Sequence, residues 1–178
     1  MLKKKICMLG SFGVGKTSLT ARFVLSMFDE KYHTTLGVKV DKKVLQINGT
    51  DLTLMLWDMA GEEEDAPIKL NYVRDAAGYL LVIDGTRGAT FNVAQSIQDR
   101  VRTNIGPLPF VVAINKTDQR ENWEIQESQL RELATLGGPL FETSAKTGDK
   151  VEEAFLTLAG MILAAQEAGG DGIPEERS

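Results

Sequence analysis

The glycine-rich segment Gly10 to Thr17, which reads GSFGVGKT, constrains this chain more than any other feature of its sequence. It matches the pattern G-x-x-x-x-G-K-[ST], which is diagnostic only between a strand and a helix. The apolar run Ile6 to Leu9 precedes it and predicts a buried strand. The residues after it repeat their apolar side chains at helical spacing: Leu19, Phe23, Val24 and Met27. The segment is therefore predicted to be a phosphate-binding loop.

The residue types in this loop suit a phosphate ligand. Gly13 and Gly15 allow the backbone to wrap tightly, so that its N–H groups point at phosphate oxygens, as does the N-terminal end of the following helix. Lys16 can reach the β- and γ-phosphates, and the Thr17 hydroxyl can bind Mg²⁺. The pattern does not by itself separate ATP from GTP, or a switch from a kinase.

The rest of the chain predicts an α/β fold of one P-loop NTPase domain. Apolar runs alternate with helical patterns, which indicates right-handed crossovers and a mostly parallel sheet of six strands with helices on both faces. Asn48-Gly49 predicts a tight hairpin that adds one antiparallel edge strand. The other predicted strands are 38–47, 52–57, 79–83, 110–114 and 139–143, and the later helices lie around 94–105, 126–136 and 151–162. We expect the domain to occupy 1–168, followed by a flexible tail, 169–178.

Composition limits the class of partner. The formal charge of −5 argues against a surface built to bind nucleic acid. The single cysteine, Cys7, allows no internal disulfide, which favours a reducing, cytoplasmic location. The sequence has no run of about 18 apolar residues and no prenylation or myristoylation signal, so we expect no membrane span and no direct lipid anchor.

Two further segments follow predicted strands and indicate guanine recognition. Asn115-Lys116-Thr117-Asp118 places a carboxylate where it can accept hydrogen bonds from guanine N1–H and the 2-amino group. Adenine offers neither donor, so it would leave a buried carboxylate unpaired. In Thr143-Ser144-Ala145-Lys146, a small residue lets a backbone N–H approach the guanine carbonyl oxygen. Each tetrapeptide alone is weak evidence, whereas their order and their positions after strands are specific.

With these motifs the chain resembles a small GTPase of the Ras superfamily, of the Ras or Rab type, over about residues 3 to 165. The resemblance also rests on Thr34-Thr35-Leu36-Gly37 and on Asp58-Met59-Ala60-Gly61. It implies a GTP/GDP switch with slow Mg²⁺-dependent hydrolysis, in which loops around 28–38 and 59–75 contact effectors, exchange factors and activating proteins. A monomer is expected.

The resemblance also implies individual roles. Thr35 would bind Mg²⁺ and the γ-phosphate, Asp58 would hold Mg²⁺ through water, and the Gly61 N–H would reach the γ-phosphate. Phe28, Lys116 and Asn115 would hold the base that Asp118 reads. The implied nucleotide-binding residues are Gly13, Val14, Gly15, Lys16, Thr17, Ser18, Phe28, Thr35, Gly61, Asn115, Lys116, Asp118, Ser144, Ala145 and Lys146; the implied metal ligands are Thr17, Thr35 and Asp58; the implied catalytic residues are Lys16, Thr35, Gly61 and Glu62.

Three departures from the family leave alternatives open. Glu62 replaces the usual glutamine: it can accept a hydrogen bond from water but adds charge near the γ-phosphate, or else it points into solvent. Phe12 replaces a small residue and either blocks an inserted arginine finger or packs on a switch loop. The missing C-terminal cysteine suits a prokaryotic relative or a soluble one.

Two other functions remain in competition with a hydrolysing switch. One is a scaffold that holds GTP without turnover, which only Glu62 and Phe12 favour. The other is a P-loop kinase or ATPase, against which Asp118 argues. Nucleotide preference separates the ATP-dependent class from the other two, and turnover separates the switch from the scaffold.

Overall fold

The computed structural model describes residues 1–31 and 34–170, and these form six strands and four α-helices. The hairpin strands meet at Asn48-Gly49, and short 3₁₀ turns occur at Leu70–Tyr72 and Thr117–Asn122. The elements are β1 (Leu2–Gly10), α1 (Lys16–Leu25), β2 (Val38–Ile47), β3 (Thr50–Met59), β4 (Gly78–Asp84), α2 (Ala89–Asn104), β5 (Phe110–Asn115), α3 (Glu127–Ala134), β6 (Leu140–Glu142) and α4 (Val151–Gly170).

The strands form one sheet in the order β2-β3-β1-β4-β5-β6, which confirms the predicted architecture. Every neighbouring pair is parallel except β2 with β3, which is the predicted hairpin. Because the other strands run in one direction, β1, β3, β4, β5 and β6 all end at the same edge of the sheet. Ligands of such sheets bind beyond this edge.

The sheet separates two hydrophobic cores. Successive side chains of a strand point to opposite faces, so in β1 Met8 packs with α1 and α4 whereas Cys7 packs with α2 and α3. Strands β4 and β5 are buried along their whole length, because helices cover both of their faces. Helices on both faces therefore agree with the sequence pattern.

The structure corrects some predicted boundaries. Helix α1 ends at Leu25 because Ser26 adopts a left-handed conformation with φ 55°, so Met27 is not part of its apolar face and is 62% exposed. Strand β1 begins at Leu2, earlier than predicted, because Lys3 and its neighbours pair with β3. The weak pattern around 126–136 does form a helix, where the side chains of Gln126 and Gln129 make a capping box.

Strand β2 is the predicted edge strand, and it has one partner in the described part of the chain. Half-buried and exposed residues alternate along its ten positions, except that the neighbours Lys39 and Val40 are both exposed. Its exposed residues include Lys39 and Lys42 together with the apolar Val40 and Val44. The strand therefore offers one unpaired backbone edge with lysines along it.

Among the helices that the structure describes, none is both long enough and apolar enough to cross a membrane. Helix α4 continues to Gly170, so the predicted tail overlaps its end. Positions 171–178 of that tail lie outside the described residues, as do positions 32 and 33 of the predicted loop 28–37.

Candidate functional site

A cavity of about 470 Å³ opens at the carboxyl edge of the sheet. It is built from the loop after β1, the loops on either side of β2 and β3, and the loops after β5 and β6. Of the implied site residues, it is lined by Gly13, Gly15, Lys16, Thr17, Ser18, Phe28, Thr35, Gly61, Asn115, Lys116, Asp118, Ala145 and Lys146.

Four of the implied site residues do not line this cavity. Val14 has its side chain in the hydrophobic core, and Ser144 is fully buried. Asp58 lies behind Thr17, to whose hydroxyl it is hydrogen-bonded. Glu62 is bound by residues of other elements. The sequence thus brings most of its motif residues to one cavity, and these four act on it only through backbone groups or neighbours.

Close backbone approaches require the glycines of the phosphate loop. Gly15 has φ +102°, and a Cβ there would collide with the Asn115 amide. Gly10 has φ +154°, and a Cβ there would lie 2.5 Å from the Val82 carbonyl oxygen. Both positions therefore exclude a side chain, in the left-handed region where glycine alone is unstrained.

Three successive carbonyl groups of this loop are held by side chains of other elements. The Phe12 carbonyl accepts a hydrogen bond from Arg87 Nη2 at 2.6 Å. The Gly13 carbonyl accepts one from Lys116 Nζ at 3.2 Å, and the Val14 carbonyl accepts one from Asn115 Nδ2 at 3.0 Å. The last residue of β5 and the residue after it thus fix two of the carbonyls, and the loop that follows β4 fixes the third.

Lys16 is a buried cation, 5% exposed. Its Nζ donates to the Ser11 carbonyl at 3.0 Å and to the Gly10 carbonyl at 3.3 Å. Burial lowers the pKa of Lys16 to about 8, although the nearby Asp58 carboxylate opposes this shift. An anion in the cavity would stabilise the charged form of Lys16, as a phosphate-binding lysine requires.

Thr17, Thr35 and Asp58 form a compact group of oxygen atoms. Thr17 Oγ1 lies 2.7 Å from Thr35 Oγ1 and donates to Asp58 Oδ2 at 2.6 Å. Burial raises the pKa of Asp58, and the hydrogen bond from Thr17 opposes this shift. The second carboxylate oxygen, Asp58 Oδ1, is buried without a hydrogen-bond partner. An unpaired buried oxygen beside two hydroxyls fits Mg²⁺, which prefers oxygen ligands and retains water.

The segment after β3 pairs with the phosphate loop. Phe12 N donates to the Glu62 carbonyl at 3.0 Å, and Glu62 N donates to the Gly10 carbonyl at 3.0 Å. A Cβ at Gly61 would overlap the Phe12 backbone and would lie 2.8 Å from Lys16 Nζ. Position 61 thus requires glycine because two loops meet there.

The Glu62 side chain is bound on the side of helix α2. Its Oε2 accepts hydrogen bonds from Ile68 N at 3.1 Å and from Arg100 Nη2. The Glu62 side chain is 15% exposed. The alternative in which Glu62 points freely into solvent is therefore wrong for this structure, and Glu62 is not among the residues that line the cavity either.

The opposite end of the cavity is organised around Asn115. Its Oδ1 accepts a hydrogen bond from Ala145 N at 3.2 Å, which joins the loop after β5 to the loop after β6. Asp118 Oδ1 accepts one from Ser144 Oγ at 2.6 Å. Arg22 of helix α1 donates to the carbonyls of Ala145 and Lys146. These contacts position both predicted base-reading segments.

Sequence reasoning missed four side chains that support the site: Asp84, Arg87, Arg100 and Arg22. Asp84 ends the fully buried strand β4 at the ligand-binding edge, and that position was a signal that could have been used. The three arginines have no spacing that identifies them. Each forms its contact with a residue 38 to 124 positions away, which no local pattern encodes.

A glycine-rich loop between a strand and a helix, with a buried lysine and a buried carboxylate beside two half-buried hydroxyls, defines a P-loop nucleotide-binding protein. The Ras family model matches residues 5–164. The chain is also 34% identical over 160 residues to the GTP-binding protein ypt1 of Schizosaccharomyces pombe, and the match covers 89% of this chain and 79% of the relative. The chain belongs to the Ras family of small GTP-binding proteins, and the GTP-binding protein ypt1 is a distant relative of it.

Proposed function

We propose that this chain is a GTP/GDP switch that hydrolyses GTP slowly with Mg²⁺. The observation that carries the proposal is that Lys16, Thr17, Thr35, Gly61 and the base-reading loops line the same cavity. Family membership supports guanine-nucleotide binding. The presence of both Thr35 and Gly61 supports a switch, because each belongs to a loop that would respond to the γ-phosphate.

Hydrolysis would replace the bond between the γ-phosphorus and the β–γ bridging oxygen by a bond to water oxygen, which yields GDP and inorganic phosphate. Lys16 and the loop amides would stabilise the charge that develops on the phosphate oxygens. Thr17, Thr35 and Asp58 would hold Mg²⁺, which neutralises phosphate charge when it is bound. Asp118 would select guanine by accepting its two N–H donors.

The position of Glu62 supports slow hydrolysis. Its carboxylate is bound to Arg100 and to Ile68 N, so it is not available to orient water until those bonds break. The same observation favours the second candidate function, in which the chain holds GTP as a docking scaffold. A catalytic role for Glu62 stays a prediction that requires the Arg100 pair to open.

Single-turnover hydrolysis of bound GTP with Mg²⁺ tests the proposal and separates the two candidates. We expect the intact protein to turn over slowly and Lys16→Ala to lose nucleotide. Arg100→Gln keeps a polar side chain but releases Glu62, so it is expected to change the rate at least threefold. The double variant Arg100→Gln, Glu62→Gln releases the side chain at position 62 without its negative charge. Comparison of its rate with that of Arg100→Gln shows whether the charge of Glu62 accounts for the change in hydrolysis. If bound GTP remains unhydrolysed in the intact protein and in every variant that binds it, the switch proposal fails and the scaffold function is the one that is supported.

We also propose a surface for protein partners and a location for the chain. Leu36 is 89% exposed next to Thr35, and Trp57 lies 6.4 Å from Tyr72 between ring centroids. These residues form our proposed surface for effectors, exchange factors and activating proteins. A cytoplasmic location, a monomer and a single domain over 1–168 are proposed too; the buried, free Cys7 supports a reducing compartment.

A further inference from the structure

Arg87 lies outside every motif of the phosphate site, yet it contacts the phosphate loop directly. It belongs to the loop between β4 and α2. Its Nη2 donates to the Phe12 carbonyl at 2.6 Å, and its Nε donates to Asp84 Oδ2 at 3.0 Å. The guanidinium group therefore bridges a fully buried carboxylate and the backbone of the loop.

The Asp84 carboxylate fixes the orientation of Arg87. Its Oδ1 accepts hydrogen bonds from the Thr86 N–H at 2.9 Å and hydroxyl at 2.7 Å. Its Oδ2 accepts one from Lys116 Nζ at 2.7 Å in addition to that from Arg87. Burial alone would raise the pKa of Asp84, but hydrogen bonds from Lys116, Thr86 and Arg87 outweigh it and hold the pKa below its usual value. Asp84 is therefore an anion that pairs with two cations.

Those two cations hold adjacent carbonyl groups. Arg87 binds the carbonyl of Phe12, and Lys116 binds the carbonyl of Gly13. In a trans peptide the C=O of one residue and the N–H of the next point in opposite directions, and the chain has no cis peptide among its described residues. Arg87 does not line the cavity, so a Phe12 carbonyl held toward Arg87 directs the Gly13 N–H the opposite way, toward the cavity that Gly13 lines.

We propose that Arg87 is a positioning residue that directs the Gly13 N–H toward the β- and γ-phosphates of the nucleotide. Phe12 is hydrogen-bonded to Glu62 and lies against Gly61 beside Lys16 Nζ, and Gly13 follows it in the loop. Asp118 and Lys146 belong to the two predicted base-reading segments, which Asn115 and Ser144 join to each other. Lys16 would bind the β- and γ-phosphates, so a backbone N–H at the same end of the cavity as Lys16 would bind them as well. The inference rests on the proposed function, because it concerns how the same site holds GTP.

Arg22 provides a matched comparison. Like Arg87, it is an arginine that binds backbone carbonyls, but it binds those of Ala145 and Lys146 at the base end. Removal of the Arg22 side chain should weaken the binding of every guanine nucleotide by a similar factor. Removal of Arg87 should weaken binding only for nucleotides with a second phosphate. A residue that merely stabilised the fold would not separate nucleotides by the length of their phosphate chain.

The test is titration calorimetry with Mg²⁺ of GMP, GDP and a non-hydrolysable GTP analogue against the full chain. Arg87→Ala is expected to lose about tenfold in affinity for GDP and the GTP analogue, and less than twofold for GMP. Arg87→Lys keeps the positive charge beside Asp84, and thus the fold, but it removes the fork of two donors that joins Asp84 to the Phe12 carbonyl. We expect it to lose about fivefold in affinity for GDP and the GTP analogue. Arg131→Ala, which removes an exposed arginine of α3, should change nothing.

An equal loss for all three nucleotides, or no loss in either Arg87 variant, would overturn the role of Arg87 while nucleotide binding by the intact protein still supported the proposed function. Failure of the intact protein to bind GDP and the GTP analogue would overturn both. A loss confined to GDP and the GTP analogue would establish Arg87 as a positioning residue of the phosphate site.

Discussion

Two loops border the end of the cavity that Lys16 lines, and they are held in different ways. In the first loop, residues 34–37, the Thr35 hydroxyl contacts that of Thr17, and the Gly37 carbonyl accepts a hydrogen bond from Ala60 N at 2.9 Å. The second loop, residues 60–68, is held by the two backbone hydrogen bonds between Glu62 and the phosphate loop and by the Glu62–Arg100 pair. A metal bound by Thr17 and Thr35 would replace the contact between their hydroxyls, whereas the contacts of Glu62 need no ligand. We therefore expect the first loop to respond to a ligand more readily than the second.

The largest effect that would sharpen this comparison concerns Cys7, whose thiol lies beneath the segment after the second loop and donates to the Tyr72 carbonyl at 3.5 Å. Burial raises the pKa of Cys7 to about 12, so the thiol stays protonated up to pH 10. We expect iodoacetamide to alkylate it about 10³-fold more slowly at pH 8 in the folded protein than in urea. Mass spectrometry follows the reaction; rates within tenfold of each other would show that this segment opens readily.

The methyl group that Gly61→Ala adds should disrupt the second loop more than a methyl group added at any other position. The added Cβ would overlap the Phe12 backbone, so the pairing of the two loops must shift. Overpacking of this kind costs about 2–3 kcal/mol of the free energy of unfolding, which urea denaturation measures. Gly160→Ala is the matched control, because a Cβ there meets nothing within 4 Å and favours helix α4. Equal stability of the two variants would contradict the close approach.

Arg100→Ala breaks the side-chain anchor of the second loop. It leaves the mostly buried Glu62 carboxylate without its charged partner, so we expect a loss of about 2 kcal/mol in the free energy of unfolding. The control is Arg131→Ala, whose pair with Glu127 is exposed on both sides and should contribute less than about 0.5 kcal/mol. If both variants lose the same amount, the Glu62–Arg100 pair is no stronger than a surface ion pair.

Thr35→Ala should have the smallest effect on stability, because it removes one partly buried hydroxyl contact of the first loop. We expect a loss below about 1 kcal/mol in the free energy of unfolding. The Mg²⁺ concentration that half-saturates binding of the GTP analogue should nevertheless rise several-fold. Thr34→Ala, one residue earlier in the same loop, serves as the control. An unchanged Mg²⁺ dependence would remove Thr35 from the predicted metal ligands.

The sequence was sufficient to predict the fold, because its strands, its hairpin and its phosphate loop each have a local signature. Gly10 to Thr17 follows a fixed pattern, and continuous apolar runs marked β4 and β5. The end of α1 was not predictable, because nothing in the apolar spacing through Met27 indicates that Ser26 adopts φ 55°. The arginine contacts of Arg22, Arg87 and Arg100 were missed for a different reason. They depend on how distant loops meet, and an isolated arginine has no spacing to interpret.

The open edge of β2 has a consequence for how copies of this chain meet one another. The open edge of a ten-residue strand can pair with the same edge of a second molecule, and Val40 and Val44 would favour this by burying apolar surface. Such pairing would also bring the lysines of the two β2 strands, Lys39 and Lys42 among them, close to one another, and lysines on an edge strand oppose it. In the described part of the chain β2 already has β3 on its other side, so pairing through this strand alone would end at two molecules.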